Sequence, residues 1–177
     1  MLTLHTKIEQ AEAISGQLVL PYELREKSRQ RATLTSGEEV AVFTVRGTVL
    51  RDGDLLKGDD GRVVRIVAAL EATYRVEGAT PRDVLRYAFH LGNRHTQAQV
   101  DADGGRGFLR IRQDGVLKEM LERLGATVTE ERAPFEPESG AYLSAGHRPH
   151  DDTSGGPGLQ LAPIPLRQKI HRANDPS

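Results

Sequence analysis

The first 70 residues alternate between short apolar stretches and turn-forming clusters. Residues 29–35 alternate, with Arg29, Arg31 and Thr33 on one face and Ala32 and Leu34 on the other, which is typical of a half-buried strand. The same pattern predicts further strands at residues 17–20, 39–43, 48–50, 54–57 and 62–68. Because several short strands joined by glycine turns are typical of small β domains, we predict a sandwich or an open barrel here.

After the last of these strands, the pattern changes to strands that alternate with helices. Thr80 is a good helix cap and Pro81 suits a first turn, so a helix is predicted to begin there and to end at Gly92. A second amphipathic helix is predicted over 116–124, before Gly125. Strands are predicted at residues 72–77, 95–100, 107–112 and 126–130. This βαββαβ order is the ferredoxin-like arrangement.

The C-terminal part is rich in proline and glycine and has little apolar periodicity. A segment of this composition cannot bury enough surface to offset the entropy of ordering, so we expect a flexible tail. We therefore predict an α+β protein in three parts. These are a small all-β domain at 1–71, a ferredoxin-like domain at 72–142 and a flexible tail at 143–177.

The composition excludes several classes of chemistry. The 177 residues include no cysteine, which excludes disulfides, thiolate nucleophiles and cysteine metal sites. Lys and Arg (24) nearly balance Asp and Glu (25), so general nucleic-acid binding is not expected. No apolar run is long enough to span a bilayer and no export signal is visible. We therefore expect a cytoplasmic protein with no membrane partner.

Without cysteine, a borderline metal ion must be bound by histidine, carboxylate or water. His95 lies just past the predicted end of the first helix, and His90 lies five residues earlier, about 140° around that helix. The two therefore do not form an i, i+4 chelating pair. In the tail, His147 and His150 have an H-x-x-H spacing, and His171 follows. Spacing alone favours the simpler interpretation, that these are ordinary polar residues at a helix end and in a solvated tail.

One histidine per chain cannot hold a metal ion tightly, but symmetry offers a route to a site. A two-fold axis beside His95 would bring two copies of it together, since two-fold dimers are the commonest soluble oligomers. Imidazoles from the tail would then complete the coordination shell.

Other motifs carry less information. No glycine-rich phosphate loop and no nucleophile elbow is present. Glu136 and Glu138 form a carboxylate pair that we expect to be solvated. A basic cluster on the β domain would suit a protein or nucleic-acid partner, although a solvated strand face is the simpler interpretation. The cluster comprises Arg25, Lys27, Arg29 and Arg31.

Taken together, five segments resemble the urease accessory protein E (UreE) family, the nickel metallochaperones of urease maturation. The matching segments are residues 20–31, 46–54, 87–95, 124–129 and 133–142. The Gly-Asn-Arg-His motif at 92–95 is quite specific to the family. In the tail, Lys169-Ile-His171 resembles a short C-terminal motif of some members.

The resemblance implies a nickel carrier that is not an enzyme. It implies that the β domain docks a partner, that the ferredoxin-like domain forms a homodimer, and that His95 binds Ni²⁺ at the dimer interface. His171, His147 and His150 are the implied tail ligands, with His171 favoured by its context. The implied partners are the urease GTPase accessory protein and apo-urease with its other accessory proteins.

The sequence departs from the family pattern at two places. Many members carry His-Asp-His at the start of the second helix, where this chain has Gln113-Asp-Gly115, so we expect that additional metal site to be absent. The long polyhistidine tail of some members is missing as well. We therefore expect about one ion per dimer and a carrier role, not storage.

Two alternatives stay open. An RNA- or peptide-binding module would use the ferredoxin-like sheet and the Arg-rich β face, although Phe108 is nearly alone as a stacking aromatic. A zinc hydrolase would need a ligand triad with a general base, which is not visible. Zn²⁺ and Cu²⁺ would compete with Ni²⁺ for the same ligands, because nitrogen ligands do not by themselves prefer nickel.

Overall fold

The computed structural model describes residues 1–139, which carry two separate sheets. The first part of the chain supplies a six-stranded sheet and one short helix. Its elements are β1 (Leu2–Ile8), β2 (Gly16–Leu20), α1 (Tyr22–Arg25), β3 (Arg29–Thr33), β4 (Glu39–Phe43), β5 (Leu55–Gly58) and β6 (Val63–Ala68).

The six-stranded sheet is mixed, with strand order β2-β6-β5-β1-β4-β3. The pairs β1–β4 and β2–β6 are parallel and the others are antiparallel. Near the two edges, the Thr35 N–H donates to the Gln17 carbonyl at 3.0 Å, so the sheet curls until its edges approach each other. A single sheet of this shape is the open-barrel form of the prediction, and the sandwich does not occur.

The inside of the curl is a leucine- and valine-rich core with contributions from all the strands. Leu4, Leu18, Val42, Leu56 and Ile66 are fully buried in it. Each fully buried aliphatic side chain stabilises the fold by about 1.5–3 kcal/mol relative to an exposed one.

Two strand predictions in this part are wrong. The prediction omitted β1, although Leu2 and Leu4 are buried and His5 is exposed along it. Residues 48–50 were predicted as a strand, but they belong to a loop. Leu50 is nonetheless fixed there, because its side chain is buried and its N–H donates to the Arg25 carbonyl at 2.9 Å.

A four-stranded antiparallel sheet with two helices follows. Its elements are β7 (Leu70–Glu77), α2 (Pro81–Asn93), β8 (Gln99–Asp103), β9 (Arg106–Arg112), α3 (Gly115–Arg123) and β10 (Thr127–Pro134). The strand order β10-β7-β9-β8 is that of the ferredoxin-like fold, so the predicted α+β class with a βαββαβ unit is confirmed. Within residues 1–139 no helix is both long enough and apolar enough to cross a membrane.

Both helices begin at side chains that cap their free N–H groups. Thr80 accepts from the Asp83 N–H, and Asp83 accepts from the Thr80 N–H in return, which is a capping box and confirms the predicted start of α2. At the start of α3, the Asp114 carboxylate accepts from the N–H groups of Val116 and Leu117. Tyr87 and Leu91 of α2 and Leu121 of α3 are buried against the four-stranded sheet.

Candidate metal centre at the end of helix α2

The end of α2 differs from the prediction and places His95 in an unusual position. Gly92 lies inside the helix, and the chain leaves it after Asn93, with Arg94 as the C-cap. The His95 N–H donates to the Gly92 carbonyl at 2.9 Å and the Thr96 N–H to the Leu91 carbonyl at 3.1 Å. This pair of bonds is the Schellman motif, in which His95 is the first residue beyond the cap.

His95 therefore has the left-handed backbone conformation that this motif requires. Its φ is 54°, and among residues 1–139 it is the one residue other than glycine with a positive φ. Helix α3 ends in the same two bonds, from Gly125 to Glu122 and from Ala126 to Leu121, and there the left-handed residue is Gly125 (φ 93°). The chain thus places a histidine where the local geometry favours glycine.

The His95 side chain is exposed and lies between two open hollows. The larger, about 660 Å³, has a polar lining that includes Glu26, Arg112 and Asp114. The smaller, about 410 Å³, is lined largely by apolar atoms, including those of Leu91. An exposed imidazole on a hydrogen-bonded helix end is accessible to a metal ion yet fixed in position.

Glu26, the residue that follows α1, contacts the loop after His95. The Gln97 amide donates to a Glu26 carboxylate oxygen at 3.2 Å, and Arg112 donates to the Gln97 amide oxygen at 3.0 Å. Sequence reasoning missed Glu26, because 71 positions separate it from Gln97 and no local pattern marks such a contact.

An apolar surface extends along α2 towards His95. Leu85 and Phe89 are four residues apart on this helix and are 71% and 64% exposed. Val100, on the edge strand β8, is also exposed and lines the smaller hollow beside His95. Large apolar side chains grouped in this way are typical of a protein–protein contact. We call Leu85, Phe89 and Val100 the α2 apolar surface.

The described residues do not complete a metal site within one chain. No group of three or more histidine, aspartate or glutamate side chains in residues 1–139 is placed to hold an ion. His90 is half-buried on α2 and stacks edge-on against Phe89, with ring centroids 5.5 Å apart. The other predicted ligands, His147, His150 and His171, lie outside the described residues.

Residues 113–115, where we expect no additional metal site, make structural contacts instead. The Asp114 carboxylate caps α3, and the Gln113 amide donates to the Thr73 carbonyl at 3.4 Å. Neither side chain is a histidine, and Gly115 offers none.

The carboxylate of Glu136 is not solvated as predicted but forms ion pairs. It pairs with Arg25, and with Arg51 at 2.9 Å. Arg25 is likewise not part of an exposed strand face, since it lies in α1 and is fully buried. Its guanidinium also donates to the Leu20 and Leu50 carbonyls, at 3.2 Å each, and to the Phe135 carbonyl at 2.5 Å. A buried charge needs this complete set of partners.

Aromatic packing also holds the segment that contains Glu136. Phe135 is buried and meets the Tyr22 ring edge-on, with centroids 5.6 Å apart. Burial, aided by the negative charge of Glu26, raises the pKa of Tyr22 to about 12, so its phenol stays neutral at ordinary pH. We call Arg25, Arg51 and Glu136 the arginine–glutamate clamp.

The clamp brings the end of the described chain close to His95. The Glu136 N–H donates to the Gln99 amide oxygen and the Glu138 N–H to the Ala98 carbonyl, both at 2.9 Å. Glu138 and Ser139 therefore line the smaller hollow together with His95.

The open face of the four-stranded sheet is poorly suited to stacking a base. Phe108 is only 3% exposed, and the Arg75 guanidinium covers its ring at 3.8 Å from the centroid. Arg110 lies against the same ring at 5.3 Å and is itself paired with Glu131 at 2.5 Å. A single covered aromatic ring does not provide the platform that RNA-binding sheets use.

Comparison with known proteins shows the family of the chain. Residues 2–69 match the family described as the UreE urease accessory protein, N-terminal domain, and residues 71–158 match its C-terminal domain. A protein from Janthinobacterium sp. (strain Marseille) named urease accessory protein UreE is 67% identical over an alignment of 182 positions, which covers 99% of this chain and 98% of that protein. A protein of the same name from Nitrosospira multiformis is 65% identical over 176 residues, with the same two coverages.

A more distant relative, from Burkholderia lata, carries the same name. It is 52% identical over 136 residues, which cover 77% of this chain and 64% of that protein. The two family matches together span most of the chain, and the Janthinobacterium and Nitrosospira relatives match it over nearly its whole length. The chain therefore belongs to the UreE family of urease accessory proteins, and it is an accessory protein and not an enzyme.

Proposed function

We propose that this protein is a cytoplasmic nickel metallochaperone, which binds Ni²⁺ between two copies of His95 in a homodimer and delivers it to apo-urease. In this proposal residues 1–71 dock partners and residues 72–142 bind metal and dimerise. The partners are the urease GTPase accessory protein and apo-urease with its other accessory proteins. The observation that carries the proposal is an exposed histidine held at a helix end beside an apolar surface.

The dimer is supported by the incomplete site and by the α2 apolar surface. One imidazole per chain binds nickel weakly, and residues 1–139 contain no group of three or more histidine, aspartate or glutamate side chains placed to hold an ion. A dimer with its two-fold axis beside His95 would bring the two His95 side chains together. If its interface extended along α2, it would also remove Leu85 and Phe89 from water. Burial of the apolar surface would then stabilise the dimer, and the metal ion would bridge it.

The tail histidines are proposed to close the site and to release it. Ser139, the last described residue, lines the hollow beside His95. His147 follows eight residues later, a span of up to about 29 Å for an extended chain, so it can reach the site. Ligands carried on such a segment can be exchanged for those of a partner one at a time, which suits a carrier.

A nickel titration of matched variants tests the proposal. His95→Asn removes the imidazole, but asparagine tolerates the left-handed backbone, so the fold should be kept. We expect isothermal titration calorimetry to show nickel affinity lowered more than about tenfold in His95→Asn. His90→Asn, changed on the same helix, should bind as the wild type does. Unchanged affinity and stoichiometry in His95→Asn would refute the site.

Two conditions affect metal occupancy in this proposal. Protons compete with the metal ion for the imidazole nitrogen, so nickel binding should weaken as the pH falls. Zn²⁺ and Cu²⁺ compete for the same nitrogen ligands, and Cu²⁺ has the higher intrinsic affinity. Selectivity for nickel would thus come from the supply of metal and from the partner proteins.

A further inference from the structure

Strand β3 has a free backbone edge, because it is the last strand of the six-stranded sheet. Two backbone hydrogen bonds, one at each end of β3, show which of its residues bond to β4. The Thr44 N–H donates to the Ser28 carbonyl at 2.8 Å, and the Leu34 N–H donates to the Glu38 carbonyl at 2.9 Å. Hydrogen-bonded pairs in an antiparallel ladder alternate with pairs that are not bonded. The even-numbered residues of β3 therefore bond to β4, and the odd-numbered ones direct their N–H and carbonyl groups outward.

The backbone N–H of Thr35 has the same outward direction as those of the odd-numbered residues of β3. Its N–H points away from β4 and donates to the Gln17 carbonyl of β2, where the sheet edges approach each other. The corresponding groups of Arg29, Arg31 and Thr33 make no further backbone bond within residues 1–139. A row of free donors and acceptors is a site at which another extended chain can add a strand.

The side chains on this edge are basic and partly apolar. Arg29 and Arg31 are exposed, and neither forms an ion pair in the described part of the chain; the same holds for Arg46 in the following loop. Phe43 lies opposite Arg29 in the ladder and is 43% exposed, and Val45 is 80% exposed. The Arg29 guanidinium lies 5.9 Å from the Phe43 ring centroid.

We propose that this edge binds an extended acidic segment of a partner protein, which adds a seventh strand beside β3. The backbone groups of Arg29, Arg31 and Thr33 would form the ladder, and the two guanidiniums would bind carboxylates on alternate positions of the segment. Phe43 and Val45 would contact apolar side chains between those carboxylates. The inference rests on the proposed function only in that a metal carrier must dock on the proteins it serves.

A protein segment fits this surface better than a nucleic acid. Only a polypeptide can use the alternating N–H and carbonyl groups of a strand edge. The positive charge is also local, since the chain as a whole has a net charge of -1. The edge would therefore attract an acidic segment while the rest of the molecule would not favour a polyanion.

A synthetic decapeptide of alternating glutamate and valine serves as the probe, with a lysine–valine decapeptide as its charge control. NMR of the full chain should show shifts of the Arg29, Arg31 and Thr33 amides with the acidic peptide only, and binding should weaken as salt is added. The double variant Arg29→Glu/Arg31→Glu should lower peptide affinity roughly tenfold or more. Arg106→Glu, at an exposed arginine that begins β9, should leave it unchanged.

A second pair of variants separates the backbone contribution from the charge. Arg31→Ala and Arg31→Pro both remove the guanidinium, but only proline also removes the outward N–H, and an edge strand tolerates it. Arg31→Pro should therefore bind the acidic peptide roughly two- to tenfold more weakly than Arg31→Ala does. Equal affinities would contradict strand addition.

Three further outcomes would overturn the proposal. They are peptide-induced shifts confined to other residues, tighter binding of a uridine decanucleotide than of the peptide at the same salt, and shifts of the edge amides that depend on protein concentration alone. The last would mean that a second copy of this chain occupies the edge. His95→Asn should leave peptide binding intact, so failure of the nickel site and failure of this edge give different results.

Discussion

At the scale of single residues, the position of His95 shows a conflict between local structure and chemistry. The Schellman end of α2 needs a left-handed residue, a conformation that costs a side chain-bearing residue about 1 kcal/mol or more. The equivalent position of α3 holds glycine, which adopts it without that cost. Residues held in such conformations are typical of functional sites, where chemistry outweighs a small loss of stability.

The cost at His95 should be measurable. His95→Gly should raise the free energy of unfolding by about 0.5–1 kcal/mol in urea denaturation, although it removes the proposed ligand. Gly125→Ala is the reciprocal control and should lower it by about 1 kcal/mol. A Cβ at 125 would lie 3.8 Å from the Tyr87 hydroxyl, so its cost would come from the backbone and not from crowding. A decrease in His95→Gly would show that the backbone there is not strained.

At the scale of elements, the one-turn helix α1 does more than its length suggests. Arg25 reaches the carbonyls of Leu20, Leu50 and Phe135 as well as Glu136, and Glu26 contacts Gln97 near His95. The clamp thus fixes the segment after β10, and the Glu26 contact fixes the loop after His95. Both contacts join parts of the chain that are far apart in sequence.

The clamp should depend on the forked geometry of arginine. Arg25→Lys keeps the charge but cannot bond to all four groups at once, so it should lower the free energy of unfolding by about 2–4 kcal/mol. Arg65→Lys, an exposed position on β6, should change it by less than about 0.5 kcal/mol. Hydrogen exchange in Arg25→Lys should show early loss of protection at the Glu136 and Glu138 amides. Equal stability of the two variants would contradict the role given to the clamp.

These contacts explain which features could be predicted from sequence. Local signals identified the Thr80 cap, the Gly125 stop and the ferredoxin-like order, because caps and periodicity act over a few residues. The glycine signal at Gly92 gives the wrong end for α2, because glycine is the usual left-handed residue beyond a helix and here His95 takes that position. Arg25 and Glu136 lie 111 positions apart, so no local pattern could pair them. His95 itself was singled out by its place at a helix end and by the family motif.

At the scale of the whole molecule, different surfaces are suited to different tasks. The six-stranded sheet ends in the basic edge of β3, and the ferredoxin-like unit carries His95 beside the α2 apolar surface. In the described part of the chain no complete metal site exists within one copy. We therefore propose that nickel binding needs a dimer, because the ion is bound between two copies of His95.

Native mass spectrometry of the full chain with added nickel measures the number of chains and the number of bound ions in the same species. The wild type should give a species of two chains with about one nickel ion, and His95→Asn should lose that ion while His90→Asn keeps it. Nickel bound to single chains, or a dimer of His95→Asn that retains its ion at the same nickel concentration, would contradict the account.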